Sequence, residues 1–346
     1  MRVFTIDPLR DARWAHMVQA HPRASIFHTQ GWLEALRRTY RYEPVAFTTS
    51  PSRAELTNAF VFCRVKTWLT GRRLVSLPFS DHCSPLVNSS EELRCLSASL
   101  QQNLENERWQ YIETRPRDSD LGGPTGFLKA ATFYLHTLDL RPSLDELFHG
   151  FHKDCVQRKI RRAEREGLTY EEGRSDSLLG KFYHLVLLTR RRQGLPPQPV
   201  QWFRNVIFCL GDKLKIRIAS KNGQPIASIL TLCHKRVITL KYSCSDQNFN
   251  NLGGTQLLYW KAIQEARNNQ IQEFDLGRSD CENSGLINFK DRWGATRSTL
   301  TYWRCPTGVL ERARLKWAMR VAKQMLTHMP DGFLTTAGRL LYRHIG

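Results

Sequence analysis

The feature that most constrains the fold is an order of elements that occurs twice along the chain. Thr29 stands as a cap before a helical pattern that places Trp32, Leu33, Leu36 and Tyr40 on one face. Residues 43–48, 56–62 and 73–77 then read as short strands, with Pro51-Ser52 and Gly71 in the gaps. A helical stretch follows at 91–106, and strands at 109–114 and 133–139 flank the turn-rich residues 115–126. The second half repeats the series. Helical patterns at 144–166 and 176–193 precede a three-stranded meander at 214–219, 225–233 and 237–242, then a helix at 252–268, and strands at 273–276 and 300–305 close the sheet. This pattern predicts a tandem duplication of one mixed α/β unit, with a boundary near Arg141-Pro142-Ser143 and units at 1–142 and 143–305.

Residues 306–346 form a tail of different composition. Leu310, Leu315, Trp317, Val321, Met325 and Leu326 recur near the helical period, with Arg312, Arg314, Lys316, Arg320 and Lys323 among them. A basic amphipathic helix of this kind packs against its own protein or lies on an anionic membrane, and the second reading gives a peripheral contact at the inner membrane face through 310–346. Charge elsewhere points the same way, since 51 Lys and Arg against 32 Asp and Glu give a formal net charge of +19. That field draws in phosphate-rich partners without naming a reaction: nucleic acid, a nucleotide-linked sugar, coenzyme A and a lipid pyrophosphate all satisfy it. The 9 cysteines show no short-spaced pair, which disfavours metal binding and suits free thiols in a reducing compartment. The N-terminus has no apolar core of signal-peptide length, and no stretch is long enough to span a bilayer, so a cytoplasmic protein is expected.

Four segments carry candidate chemistry. Phe274-Asp275-Leu276-Gly277-Arg278-Ser279 reads as a buried strand broken at Gly277, and residues 285–294 add a short amphipathic turn bearing Lys290 and Arg292. Cations at a strand end suit an anionic substrate. Residues 152–167 are the most basic segment, with Val156, Ile160 and Ala163 as an apolar stripe; Arg158 and Arg162 either hold a phosphate or belong to a solvated face in which Arg162 pairs with Glu166. Arg190, Arg191 and Arg192 sit at a helix end, where cations also offset the helix dipole. Asp81-His82-Cys83 offers a base and a nucleophile, but successive side chains on a strand point apart, and structural packing is the simpler reading.

The Phe274–Gly294 segment resembles the Phe-Asp-Phe-Gly-Arg-Ser and Gly-Leu-x-x-Phe-Lys-x-x-Trp-Gly signature of FemAB-like proteins, which are tandem GNAT-fold acyl and aminoacyl transferases. Residues 27–33, 77–86, 156–163 and 189–196 are similar to further segments of that family and occur in its order. The resemblance implies an α/β (α+β) fold of two tandem GNAT-like mixed-sheet domains with a helical tail. It implies an acyltransferase that moves an acyl or aminoacyl group from acyl-coenzyme A or aminoacyl-tRNA to an amine of a cell-envelope glycan, glycolipid or exopolysaccharide precursor. Lys290, with Phe289 beside it, would stabilise the charge that develops in acyl transfer, and a nucleophilic side chain is not needed because the acceptor amine attacks the donor directly. Arg158, Arg162, Arg190, Arg278 and Arg292 would hold phosphates of a glycan or lipid-linked acceptor, or of tRNA.

Two departures from the family stand out. The family's coenzyme A loop is matched only by Asn250-Asn251-Leu252-Gly253-Gly254-Thr255, which lacks the final Gly or Ala; Asn251, Gly253 and Gly254 are the candidate phosphate grip. A sustained heptad arm like that of the aminoacyl-tRNA branch does not occur. The alternative is a tandem-GNAT protein that binds the same acceptor without transferring anything to it.

Overall fold

The computed structural model describes residues 2–117, 123–306 and 331–345. The chain forms two compact units. The first gathers Met1–Phe133 with residues 299–306 and 339–345, and the second Tyr134–Ser298 with residues 331–338.

In the first unit β1 (Phe4–Ile6), β2 (Glu43–Thr48), β3 (Phe60–Thr67) and β4 (Gly71–Val75) form an antiparallel series. Strand β5 (Tyr111–Thr114) runs parallel to β4, and β12 (Thr296–Cys305) pairs antiparallel with β5. Helix α1 (Arg13–Ala20) precedes α2 (Gln30–Tyr40), which starts as expected, with the Thr29 hydroxyl accepting from the Trp32 N–H. Helix α3 (Ser90–Asn106) turns Leu93, Leu96 and Leu100 toward Phe60, Phe62, Leu74 and Ile112 of the sheet. That i, i+3, i+7 spacing is what binds a helix to a sheet face.

The second unit repeats the plan. Its strands are β6 (Leu128–Asp139, from Tyr134 onward), β7 (Thr169–Gly173), β8 (Leu214–Lys221), β9 (Gln224–His234), β10 (Val237–Ser245) and β11 (Glu273–Asp280), in the sheet order β6-β11-β10-β9-β8-β7. Pairing is antiparallel from β7 to β10 and parallel between β10 and β11. The helices are α4 (Leu144–Gly150), α5 (Arg158–Arg165), α6 (Asp176–Gln193), α7 (Val200–Leu210), α8 (Gly254–Asn268) and α9 (Ser284–Asp291). Leu258, Ile263, Ile226, Ile229, Phe274 and Trp293 are buried in one core cluster.

Three expectations need correction. The helix expected over 144–166 is broken: a Ser143–Glu146 capping box starts α4, the chain extends at Phe151, and His152 caps a π-turn (Lys153–Gln157) that leads into α5. Helix α7 was missed although Trp202, Phe203, Val206 and Leu210 are buried at helical spacing; the Pro196-Pro197 and Pro199 run ahead of it signals a loop. The third concerns the closing strands. Residues 300–305 do form a strand, but Trp303, Arg304 and Cys305 pair with Thr114, Glu113 and Ile112 of the first unit, while β6 takes the place beside β11 in the second. The units therefore divide at Phe133–Tyr134 and not near residue 142. Periodicity identifies a strand; it carries no information about which edge the strand completes.

The amphipathic pattern expected over 310–326 lies outside the described residues. Helix α10 (Asp331–Ile345) follows it, and its last carbonyls are capped within the first unit. The Tyr42 hydroxyl donates to Tyr342 O and Arg343 O (3.2 and 3.0 Å), and Thr70 Oγ1 and Arg73 Nη2 donate to His344 O (3.1 and 2.8 Å). No helix among the described residues is long and apolar enough to cross a membrane.

Candidate functional site

Strands β10 and β11 pair over only Val237–Thr239 and Glu273–Asp275, although both continue well beyond. Two irregularities pull them apart. Strand β10 is bulged between Leu240 and Tyr242, and β11 turns through a positive φ of 73° at Gly277, whose N–H donates to Asp275 Oδ1 at 2.8 Å. Where β10 runs on past that pairing, Ser243 and Ser245 line a cavity of about 340 Å³ together with Tyr259, Leu286, Phe289 and the Gly254–Gln256 turn, with Lys159 and Arg192 also on its wall. Its inner wall is apolar and rigid: Tyr259 meets Phe289 edge-on at 5.6 Å and stacks on Trp293 at 5.2 Å. Burial pushes the Tyr259 phenol pKa up, and a hydrogen bond with Ser243 opposes that shift, so the phenol is neutral at ordinary pH.

Helix α8 starts at this cavity. No side chain caps it and its first turn holds no acid, so backbone N–H groups at Gly254–Gln256 face the wall without a built-in partner. Gly253 sets the approach. It has φ +79°, and a Cβ there would lie 2.2 Å from the Lys159 carbonyl oxygen. Lys159 in turn donates from Nζ to Asn250 O at 3.2 Å. Helix α5 thus butts against the entrance of α8, and Arg158, Lys159, Arg161, Arg162 and Arg165 line a broader concavity of about 990 Å³ together with Asn251. Lys159 is common to both cavities.

The structure gathers some of the expected residues and separates others. Phe289 and Gly254 line the inner cavity, while Arg158, Arg162 and Asn251 line the outer one. Arg158 pairs with Asp154 at 2.7 Å and Arg162 with Glu166 at 3.7 Å, so both retain the partners that a solvated helix face would give them. Arg190 hydrogen-bonds Gln193 at 3.3 Å; its neighbour Arg192 is the residue on the cavity wall, held by Ser245 O at 3.4 Å. Arg278 and Arg292 are exposed and lie off both walls.

Lys290 is buried, and its ammonium donates to Gly277 O at 2.7 Å and Arg278 O at 3.0 Å. It clamps the turn of β11 at Gly277 and stands off the cavity wall. His136 of β6, which sequence reasoning did not single out, is fully buried with Nε2 3.2 Å from Asp291 Oδ1. Burial, then the Lys290 charge, hold its pKa below the ordinary imidazole value against the pull of Asp291. Lys159 and Arg192 lie in the two basic segments marked by the sequence but were not given roles, and nor were Ser243 and Tyr259, which no local motif marks.

In the first unit Cys83 is fully buried, and its imidazole neighbour is His28 (3.3 Å) and not His82. His28 Nε2 also lies 2.9 Å from Ser84 O, and burial raises the Cys83 thiol to about 12. A neutral, sealed thiol is a packing residue. Among the described residues, no group of three or more His, Cys, Asp or Glu is placed to hold a metal ion.

Comparison with known proteins accords with this geometry. Residues 152–291 match the family model described as Acetyltransferase (GNAT) domain. Over 157 residues the chain is 25% identical to the UDP-N-acetylmuramoylpentapeptide-lysine N(6)-alanyltransferase of Weissella viridescens, a match that covers 44% of this chain and 43% of that protein, so less than half of the relative's length is spanned. The crystal structure of FemX is similar with a TM-score of 0.66 at 14% identity, over 87% of this chain and 97% of that one. A tandem GNAT protein from the clavulanic acid biosynthesis pathway is similar with a TM-score of 0.56 at 11% identity, over 89% and 99%. The fold is that of a tandem GNAT-fold protein, mixed α/β in each unit. Within that class, the chain is similar to FemX and to the alanyltransferase of Weissella viridescens.

Proposed function

We propose that the protein is an acyltransferase that moves an acyl or aminoacyl group onto an amine of a phosphate-bearing cell-envelope precursor, either a soluble glycan or a lipid-linked one. The observation that supports this reading is the cavity beside the end of β10, with an apolar wall of Tyr259 and Phe289 on one side and the uncapped start of α8 on the other. An acyl chain suits the apolar wall, and the phosphates of its carrier suit the free N–H groups with Lys159 and Arg192. The acceptor amine attacks the acyl carbonyl, an amide forms, and the thioester of acyl-coenzyme A or the ribose ester of aminoacyl-tRNA breaks. Lys290 has a positioning role in this reading, because it ties α9, which carries Phe289 of the cavity wall, to the Gly277–Arg278 turn of β11.

The test is a transfer assay with full-length protein, UDP-linked muramoyl-pentapeptide or its lipid-linked form as acceptor, and acetyl-coenzyme A or alanyl-tRNA as donor, read by product mass. A mass gain of one acyl or aminoacyl unit is expected. Ser243→Trp, which fills the cavity from an exposed strand position, should cut the rate about 100-fold, equivalent to about 2.7 kcal/mol, with a small fall in Tm because the buried Tyr259 phenol loses its Ser243 partner. Lys290→Met should lower both the rate and the stability, the latter by about 2 kcal/mol, because two carbonyls lose their donor. Acceptor binding without transfer from any donor would point instead to a binding protein with the same fold.

A further inference from the structure

The first unit carries an exposed apolar cluster for which its own core offers no account. The turn between β3 and β4 presents Trp68 with 88% of its surface exposed and Leu69 with 54%, on a chain whose other tryptophans of known burial are mostly sequestered. This turn is braced from behind. Thr67 Oγ1 and Thr70 Oγ1 lie 2.7 Å apart, the Thr70 N–H donates to Thr67 Oγ1 at 3.1 Å, and Thr70 Oγ1 donates on to His344 O of α10 at 3.1 Å. The Trp68 ring meets the His344 ring edge-on at 5.6 Å. On a helix, the residues three and four places before His344 share its face; these are Leu341 and Leu340, 39% and 63% exposed. Trp68, Leu69, Leu340 and Leu341 therefore form one protruding apolar ridge, built on a rigid turn and the last turns of a helix.

Cations surround the ridge. Lys66 and Arg72 are directly opposite one another across the β3–β4 hairpin, immediately behind Trp68 and Leu69. Arg339 and Arg343, both exposed, flank Leu340 and Leu341 on α10. Glu43 and Glu107 pair with Lys66 and Arg72 at 3.3 and 3.2 Å, so the balance around the ridge stays positive.

We propose that this ridge is a docking surface for an anionic phospholipid bilayer, with Trp68 and Leu69 inserted at the headgroup boundary and Lys66, Arg72, Arg339 and Arg343 on the lipid phosphates. Its charge favours that occupant over a second copy of the chain, since a symmetric pairing of two ridges would set Arg339 and Arg343, the cations left over after Glu43 and Glu107 pair with Lys66 and Arg72, against their own duplicates, in a protein of net charge +19. Protrusion has the same effect: an indole on a braced turn reaches into a soft interface, where its amphipathic ring is most stable. The surface involves none of the residues of the cavity in the second unit, so it holds independently of acyl transfer.

Flotation of the full-length protein with vesicles tests it. Binding is expected to phosphatidylcholine vesicles containing about 30% phosphatidylglycerol and not to phosphatidylcholine alone, and it should weaken as salt rises. Trp68→Ser with Leu69→Ser should reduce the partition coefficient about ten-fold or more while Tm stays unchanged, because both side chains are already in water in the free protein. Arg339→Glu with Arg343→Glu should reduce it by a similar factor and flatten its salt dependence. Equal binding of the Trp68→Ser/Leu69→Ser variant and the unaltered protein would overturn the proposal, as would equal binding to neutral vesicles. A lipid-free dimer that this variant converts to monomer would overturn it too, and would assign the ridge to self-association.

Discussion

Helix α8 of the second unit and helix α3 of the first occupy matching places, each following a three-stranded antiparallel series and leading into a strand parallel to the last of it, yet they begin in opposite ways. Helix α8 starts on Gly253 with no side-chain cap and no acid in its first turn. Helix α3 starts on Ser89, whose hydroxyl accepts from the Glu92 N–H, and carries Glu91 and Glu92 in its first turn. Glu92 reaches back to the Asn88 N–H at 2.7 Å and accepts from Asn58 Nδ2 at 2.9 Å. One terminus is left open to an anion, and the other is closed by the chain's own oxygens.

The strand gaps differ in the same sense. In both units the parallel pairing is three residues long. Past it, β10 of the second unit borders a cavity, whereas in the first the segment 77–84 lies against the end of β5, held by Arg115 Nη1 donating to Leu77 O and Ser80 O at 2.8 and 3.2 Å. Glu113 pairs with both Arg115 and Arg304, and although burial acts against it, these two charges hold its carboxyl below the usual range. Duplication thus produced two copies of one frame, and polar side chains sealed one while glycine kept the other open.

The contrast can be broken from either side. Replacing Arg115 by Met should have the largest effect, about 3–5 kcal/mol of stability measured by urea unfolding, since a buried carboxylate loses one of two partners and two carbonyls lose their donor. Gly253→Ala forces a Cβ against Lys159 O in a left-handed conformation; it should cost about 2–3 kcal/mol and abolish donor binding, read by calorimetry with acetyl-coenzyme A and alanyl-tRNA. Ser89→Ala should cost only about 1 kcal/mol and leave any transfer rate unchanged, because the first unit's helix start has no ligand to lose. A fall in transfer rate with Ser89→Ala at unchanged Tm would show that the sealed unit takes part in the reaction.

Much of the frame was legible. The strand at Glu43–Thr48 and the helix at Asp176–Gln193 match the sequence reading residue for residue, because alternation and helical spacing are local and strong there. The break at Phe151 was not visible, since the apolar spacing continues across it while the caps at Ser143 and His152 start separate turns. At the site, Phe289, Gly254, Arg158, Arg162 and Asn251 were found from motif and charge, and Lys159 and Arg192 lie in the same basic segments, but Ser243 and Tyr259 join them only through the packing of β10 against α8.

By itself the sequence determined the duplicated order of elements, the glycine pair at Gly253-Gly254 and the density of cations on α5, because each depends on residues near one another in the chain. Tertiary structure decided what could not be local. It decided that β12 completes the first sheet and β6 the second, that Lys290 spends its ammonium on Gly277 and Arg278, and that Trp68 stands in water beside the end of a helix more than two hundred residues later. The physical reason is the same in each case. Strand partner, buried hydrogen-bond acceptor and surface neighbour are set by which distant backbones meet, and side-chain periodicity is blind to that choice.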